Sequence, residues 1–417
     1  MDGALAKPKL IWSYGRFFFP LALSLAVIYA IIVGPVSVIG GIIFVLLGLS
    51  VLERLSGEDA KAYEYGHPRI FVYMMWGYLP VTVVAFLAYI WVLAHGHNGG
   101  DLFGLAAMVQ SWTGFDMMAA HANDGIGTYL LSTFLFSQIT SIGSVTIGHE
   151  LSHRTWEPFS VFSSRACSLF GLFTYYAIEH PYGHHFNVGT PVDSSTALRG
   201  ESVYTYFRRT TFQDYQTAWD IEKERLEKLD LPTFSVHNKL LHGWAAEIAL
   251  LVFIVTVSGL LGLFWFLVAA FNTHFGYKIG TYGQHYGIVR VPGSEIKAHH
   301  SWDSFNRVTN WFVDNIGRHS QHHLEPQREF WRLEDVGAPR LPESMGYFRA
   351  IGMSIIPPLW HRHWSPHLIE WDQKYASPEE RELARQANLD SGRPELMAWG
   401  AAQQVDDMTA GKPATAA

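Results

Sequence analysis

The chain has 417 residues, of which 49% are hydrophobic and 15% aromatic, and only 16% carry a charge. This composition excludes a disordered chain, and it departs from soluble domains, in which about 25% of residues are charged. The net charge is −7 without a basic block, which excludes an electrostatic footprint for nucleic acid, and the single cysteine, Cys167, excludes an internal disulfide and a cysteine-ligated iron–sulfur centre.

Long apolar runs in the first 148 residues predict membrane-spanning helices. Residues 17–52 contain no charged side chain, and this run is too long for one span of about 20 residues. Gly34 and Pro35 interrupt it, so we predict two helices joined by a tight turn. The first predicted domain, 17–148, therefore holds four spans: 17–33, 36–52, 70–94 and 126–148.

A polar region over 149–243 separates these spans from another apolar run. Within it we predict a half-buried helix at 160–178 and an amphipathic helix at 212–230. The run at 244–277 fits either one long tilted helix or two short ones that turn near Gly259. The basic segment after it favours two, which predicts a membrane hairpin over 244–280. We expect a polar region with further histidines at 281–397 and a disordered tail at 398–417.

The distribution of basic residues predicts the orientation in the membrane. The loop at 95–125 has no Lys or Arg, whereas 149–243 has nine. Because basic loops remain in the cytoplasm, the histidine-rich regions should face that side of a bacterial inner membrane. The predicted fold is an all-α, multi-pass integral membrane protein with about six transmembrane helices and a cytoplasmic histidine-rich cap.

Nine of the 21 histidines stand in four short motifs that indicate a metal centre. Imidazole is the commonest metal ligand in proteins, and i,i+3 or i,i+4 spacing sets ligands side by side on a helix. Nine ligands exceed the capacity of one ion, so the count predicts two metals with four or five ligands each. The motifs are GHELSHR, EHPYGHH, YGQHYGI and RHSQHH, and their ligands are His149, His153, His180, His184, His185, His285, His319, His322 and His323.

The first motif also matches the H-E-x-x-H pattern of zinc proteases. There two histidines bind zinc and the glutamate, here Glu150, is the general base. An intramembrane zinc protease is thus an alternative, although it would need one further ligand and would then leave six of the nine histidines without a role.

The four motifs together resemble those of the membrane-bound non-haem di-iron oxygenases, a superfamily that includes the fatty-acid desaturases. The His-Tyr-Gly motif at 285–287 and the stretch GHHFNVGTPVDSSTALRGESVY at 183–204 are similar to those of alkane and alkylarene hydroxylases. The segment at 355–384 is similar to xylene monooxygenase hydroxylases. Gln284 and Val192 stand where alkane hydroxylases usually have Glu, which favours the alkylarene branch.

This resemblance implies that the nine histidines hold two iron ions that use O₂ to hydroxylate a terminal or benzylic methyl group of an apolar hydrocarbon. A desaturase or hydroxylase of acyl chains or terpenoids is the alternative within the superfamily. We predict no catalytic side chain beyond the ligands. Carboxylates near the motifs are expected to orient the ligands and offset the charge of the metals. The candidates are Glu150, Glu179, Asp193, Asp314 and Glu325.

Hydroxylation consumes two electrons, and the sequence has no dinucleotide-binding fingerprint that would supply them. A separate electron carrier is therefore required. The resemblance implies a rubredoxin or ferredoxin-type protein with its reductase, so that NAD(P)H acts only indirectly. Candidate docking residues are Arg208, Arg209, Arg318 and Arg328.

Overall fold

The computed structural model describes residues 7–409, and within that range the chain is helical, with two isolated β-bridges and no strand. The first helices in chain order are α1 (Ile11–Val33), α2 (Pro35–Ser56), α3 (Arg69–Asn98), α4 (Leu105–Thr113) and α5 (Ile126–His153). The next are α6 (Pro158–Leu169), α7 (176–187), α8 (Val203–Glu227), α9 (Lys239–Gln284), α10 (Arg307–Phe312) and α11 (His319–Leu324). The last are α12 (Tyr347–Ser354), α13 (Pro357–Lys374), α14 (Pro378–Asp390) and α15 (Pro394–Thr409).

Five helices, α1, α2, α3, α5 and α9, are long and apolar enough to cross a membrane. They contain the four predicted spans and the run at 244–277. Their shared core includes Val27 of α1, Met75 of α3, Ile139 of α5 and Phe266 of α9. The bundle is thus held together by apolar side chains from most of its helices, whereas most apolar side chains of α2 are exposed, as expected for a helix that faces lipid.

Two glycines reverse the chain at the same end of the bundle. Gly34, between α1 and α2, has φ +103°, and Gly259, inside α9, has φ +67°. A straight helix of 46 residues would be about 69 Å long. Instead, both ends of α9 contact one segment, because Glu247 accepts a hydrogen bond from the Thr174 amide at 3.0 Å and His274 Nε2 lies 3.0 Å from the Leu172 carbonyl. The two halves of α9, 239–258 and 260–284, are therefore antiparallel.

The bundle has two chemically different ends. The turn end contains the two reversals and the segment 99–125, where His121 Nε2 lies 3.1 Å from the carbonyl of Ile32 in α1. The cap end contains 149–238 and 285–409. His95 and His97, at the end of α3, also lie at the turn end, where the His97 ring is beside Gly259. The number of membrane crossings and the side that the cap faces stay predictions.

Several predicted boundaries in the cap differ from the observed ones. The helix expected at 160–178 ends at Leu169, and the chain then turns through Leu172, which has φ +53°. The helix expected at 212–230 begins earlier, at Val203, because Ser202 and Thr205 form a capping box there.

The tail expected to be disordered at 398–417 is helical through Thr409. Its helix, α15, buries Leu396 in the cap core, and the backbone at Gly400 lies against α14. These contacts hold α15 against the cap, and the polar composition of the tail gives no indication of them. Residues 410–417 lie outside the described part of the chain.

The cap packs directly against the end of α9 that leads to the third histidine motif. Trp360 and Trp364 of α13 are fully buried, and Trp360 contacts the ring of Tyr282 with a centroid separation of 5.0 Å. Glu53 of α2 accepts hydrogen bonds from the amides of Phe348 and Arg349 at the start of α12. The cap and the bundle therefore form one packed unit around the histidines.

Candidate metal centre

The nine predicted histidines meet at the cap end as two adjacent groups, and none is more than 6% exposed. Within each group, the ring nitrogens that face one another all lie within 4.8 Å. The first group has five members: His149, His153, His180, His185 and His322. The second group has four: His184, His285, His319 and His323.

Neighbouring residues in the chain contribute to different groups. His184 and His185 are consecutive, as are His322 and His323, and in each pair one residue belongs to each group. Successive residues of a helix point about 100° apart, so one turn delivers ligands to both groups. The rings of His185 and His323 stack across the boundary with centroids 4.4 Å apart, so the two groups are in direct contact.

Two π-helical turns support this arrangement. One, Ile142–Ile147, directly precedes His149 in α5, and the other is His180–His184 itself. An extra residue in a helical turn changes the direction of the following side chains, and such turns are frequent at functional sites. At the first turn the Gly148 carbonyl accepts a hydrogen bond from Ser164 Oγ at 2.6 Å, which anchors this segment to α6.

The distances between ring nitrogens test whether the groups fit a metal ion. In the first group His149 Nε2 lies 2.9 Å from His322 Nε2, and His180 Nε2 lies 3.0 Å from His185 Nε2. In the second group the His285 and His319 Nε2 atoms are 2.9 Å apart. With metal–nitrogen bonds of about 2.1 Å, ligands at right angles are about 3.0 Å apart and tetrahedral ligands about 3.4 Å. The spacing therefore fits an ion that binds more than four ligands.

Burial keeps these imidazoles in the neutral form that binds metals. It lowers the pKa of His285 to about 3. Burial and the neighbouring rings also lower the pKa values of other ligands outside the membrane helices well below the usual range, namely those of His180, His185, His319, His322 and His323. A metal can therefore bind without displacing protons at pH 7.

Asp193 is the predicted carboxylate that contacts a ligand directly. The His184 Nδ1 atom lies 3.0 and 3.1 Å from the two Asp193 oxygens, and Thr196 Oγ1 donates to the same carboxylate at 2.6 Å. Burial alone would raise the pKa of Asp193, but His184 and Thr196 hold it below its usual range. The carboxylate thus accepts the Nδ1 proton and leaves Nε2 of His184 free for a metal.

The other predicted carboxylates differ in position. Glu150 accepts from the Phe330 amide at 3.3 Å, and Glu179 accepts from Ser194 Oγ at 2.8 Å. Both are buried beside the ligands that they adjoin in sequence. Burial and the charge of Asp214 raise the pKa of Glu179 well above its usual range.

Asp314 and Glu325 have contrasting environments. Asp314 is 2% exposed, and in the part of the chain that the structure describes no protein group donates to either of its oxygens. Burial raises its pKa well above the usual range. Glu325 is not placed against the histidines, because it follows the end of α11, is exposed and forms an ion pair with Arg328 at 3.2 Å.

The second orienting group is one that the motifs did not reveal. The His285 Nδ1 atom lies 3.1 Å from the carbonyl oxygen of His300 and 3.4 Å from Ser301 Oγ. The sequence showed the His299–His300 pair near the motifs, but a backbone acceptor leaves no signal in a pattern of side chains. Five other ligands have no hydrogen-bond partner at Nδ1 among the described protein atoms: His180, His185, His319, His322 and His323. The Nδ1 contacts to Asp193, to the His300 carbonyl and to Ser301 all involve histidines of the four-histidine group.

Two comparisons relate this chain to known proteins. Residues 124–351, more than half of the chain, match the family model described as fatty acid desaturase. An alkane 1-monooxygenase of Acinetobacter baylyi is 33% identical over 233 residues, which cover 54% of this chain and 56% of that protein.

Two Pseudomonas proteins have longer matches. Alkane 1-monooxygenase 1 of Pseudomonas aeruginosa is 32% identical over 61% of this chain and 67% of that protein. The hydroxylase component of a xylene/toluene monooxygenase from Pseudomonas putida is 30% identical over 61% of this chain and 69% of that protein. The chain thus matches between 56% and 69% of the length of these three relatives.

Proposed function

This chain belongs to the fatty acid desaturase family, and on that premise we propose that it is a membrane-bound monooxygenase. It hydroxylates a terminal or benzylic methyl group of an apolar hydrocarbon at two histidine-bound iron ions, with O₂ as co-substrate. The substrate class follows the named relatives, which are alkane and xylene/toluene monooxygenases.

The observation that carries this proposal is the pair of adjoining groups made entirely of imidazole. Five and four histidines at right-angle spacing suit two ions of a metal such as iron. A zinc protease needs one zinc with three protein ligands and an open position. His149 and His153 of the H-E-x-x-H pattern instead share their group with three further histidines, which argues against that alternative.

When bound, the two irons would supply the activation of O₂ and the oxidation of the C–H bond. The protein residues orient and isolate that chemistry. Asp193 and the His300 carbonyl fix the ring orientation of His184 and His285. Burial of all nine ligands excludes water, which limits unproductive reactions. Helix α5 runs from the apolar bundle directly to His149 and His153, which places these two histidines where the bundle meets the cap.

Electrons must come from a partner, for which we propose a rubredoxin or ferredoxin-type protein and its NAD(P)H-dependent reductase. The one cysteine, Cys167, is buried and cannot form an electron-transfer centre alone. Among the arginines expected to dock this partner, Arg318 is buried and donates to the backbone of Asp59 and Lys61, so it is unsuitable. Arg209 and Arg328 form ion pairs with glutamates of this chain. Arg208 is exposed and remains a candidate docking residue.

We place the protein in the inner membrane with its cap in the cytoplasm. Support comes from the charge distribution, because 95–125 at the turn end has no Lys or Arg and 149–243 at the cap end has nine.

The first test is the metal content of the detergent-purified chain. We expect two iron ions per chain, with loss of metal in both His153→Ala and His285→Ala, which affect different groups. His67→Ala, at an exposed histidine outside both groups, is the matched control and should keep both ions. One zinc per chain that is insensitive to His285→Ala would refute the di-iron proposal and favour the protease.

The second test identifies the reaction. Whole cells that express the chain with a carrier and reductase receive a mixture of octane and p-xylene. We expect the corresponding primary alcohols from the wild type and none from His285→Ala. New double bonds or hydroxyl groups in membrane acyl chains, without hydrocarbon alcohols, would instead assign it to the lipid-modifying branch of the family.

A further inference from the structure

A third cluster of titratable side chains lies behind the four-histidine group. His299 Nε2 lies 3.0 Å from Glu380 Oε2, and His300 Nε2 lies 2.6 Å from Glu380 Oε1. The side chains of His300 and Glu380 are 0% and 4% exposed. Glu380 belongs to α14, outside the segment that matches the family model, so this contact joins the C-terminal helices to the loop after α9.

Two histidines and a carboxylate can form a metal site or a hydrogen-bonded cluster. The hydrogen bonds of His300 distinguish the two. The Lys297 amide donates to His300 Nδ1 at 2.9 Å, so this nitrogen carries a lone pair. In a neutral imidazole the proton then resides on Nε2, which donates it to Glu380. A nitrogen that carries a proton cannot bind a metal, so the cluster is a hydrogen-bonded clamp.

Glu380 is well suited to accept these bonds. It also accepts from the Ser377 amide at 2.8 Å, which closes the capping box at the start of α14. Burial alone would raise the pKa of Glu380, but the hydrogen bonds from His299, His300 and Ser377 hold it below its usual range. The carboxylate therefore has a fixed position and acts only as an acceptor.

The clamped turn is the one that orients a metal ligand. His299 and His300 lie in a single 3₁₀ turn, Ala298–His300, in an otherwise irregular segment between α9 and α10. Trp371 Nε1 of α13 also donates to the His299 carbonyl at 2.8 Å. The His300 carbonyl in turn lies 3.1 Å from His285 Nδ1. The chain of contacts therefore runs from α14 through His300 to a ligand of the four-histidine group.

We infer that Glu380 is a positioning residue for the metal centre: it holds the His300 turn so that the His300 carbonyl fixes His285 with Nε2 toward the metal. This inference rests on the proposed two-metal centre. Without the carboxylate, the buried His300 Nε2–H loses its acceptor and the turn loses an anchor. Removal of groups that orient a ligand typically weakens metal binding 10–100-fold. The loss of metal should be confined to the four-histidine group. Among the described residues, no histidine of the five-histidine group forms a hydrogen bond with this turn.

The test measures metal retained per full-length chain after dialysis against a graded chelator series. Glu380→Ala should release one of two ions at a 10–100-fold lower chelator concentration than the wild type. Glu379→Ala is the matched control, because Glu379 is the adjacent glutamate of the same helix and is exposed. It should behave as the wild type. If Glu380→Ala does not fold, Glu380→Gln replaces it, since one amide oxygen can serve only one of the two histidines.

Glu380→Ala is then combined with variants of the histidine ligands. These double variants distinguish a positioning role of Glu380 from a general loss of protein stability. In a His285→Ala background, where the four-histidine group is already impaired, Glu380→Ala should cause no further loss of metal. In a His153→Ala background it should remove the remaining ion more readily. Equal retention in Glu380→Ala and Glu379→Ala, or further loss in the His285→Ala background, would overturn the inference. A wild type that holds fewer than two ions would refute the proposed function itself, so the two failures are distinct.

Discussion

Arg199 of the loop between α7 and α8 forms a buried ion pair whose removal should destabilise the protein strongly. Its terminal nitrogens donate to the two Asp372 oxygens at 2.7 and 2.9 Å, and Nη1 also donates to Asn388 at 2.7 Å. The Arg199 and Asp372 side chains are 1% and 0% exposed. Arg199→Met leaves the Asp372 charge buried without its cation. We expect the free energy of unfolding to fall by about 3–5 kcal/mol.

This magnitude translates into a measurable shift of the thermal midpoint. An unfolding entropy of about 2.1 cal/mol/K per residue amounts to about 0.9 kcal/mol/K for this chain, so the midpoint should fall by about 3–6 °C. The assay is thermal unfolding of the detergent-purified protein, followed by the fluorescence of its tryptophans. The double variant Arg199→Met/Asp372→Leu removes both charges, and its midpoint should lie above that of Arg199→Met, because apolar side chains can replace a buried ion pair.

A surface pair of similar geometry provides the control. Lys228 and Glu224 approach to 2.6 Å, but their side chains are 72% and 65% exposed. Water replaces the lost partner there, so Lys228→Met should leave the midpoint at the wild-type value. Equal midpoints for Arg199→Met and Lys228→Met, or a double variant less stable than Arg199→Met, would refute the argument that burial decides the strength of these pairs.

Three further predictions concern other parts of the molecule. Asp193→Asn removes a carboxylate that orients a ligand and should weaken metal binding 10–100-fold in a chelator titration, and unchanged retention would contradict its assigned role. Burial raises the pKa of Asp303 from 3.8 to about 7, so the folded state keeps this proton to a higher pH than the unfolded state does. The resulting stability, about 4 kcal/mol, is present near pH 4 and lost as the pH rises to 7. The thermal midpoint, measured at several pH values between 5 and 8, should therefore fall less steeply with rising pH for Asp303→Asn than for the wild type. Equal slopes would contradict the raised pKa of Asp303. Gly259→Ala should lower the thermal midpoint, because φ is +67° and a Cβ atom would lie 2.7 Å from the His97 ring. Gly280→Ala, in helix α9 with open space around the position, should not lower it.

Much of the bundle could be predicted because its signals are local. Uncharged runs predict long apolar helices, since backbone polar groups in lipid must be paired within a helix. The position of Gly259 was foreseen as the place of a turn, and the backbone does reverse there. Boundaries in the cap were less accurate. The tail at 398–417 has no apolar run, and its described part continues helix α15, which begins at Pro394 and buries Leu396 in a core built from distant segments.

The candidate site shows the same limit at the level of single residues. Asp193 could be proposed because it follows a histidine motif closely, and it does contact His184. Glu325 is equally close to a motif in sequence but points to solvent beyond the end of α11. Proximity along the chain brings a carboxylate to the neighbourhood of a ligand, whereas the direction of the side chain depends on the local turn and on packing.

Composition and short-range spacing are sufficient to predict the helical membrane architecture and to select the nine histidines as candidate ligands. Their division into groups of five and four, with the neighbours His184 and His185 in different groups, becomes visible only in the folded chain. The fold also brings Glu380 to His300, 80 residues earlier in the chain. Motif spacing gives the angle between two side chains of one helix, whereas the orientation of that helix about its axis and its long-range packing decide which side chains it meets.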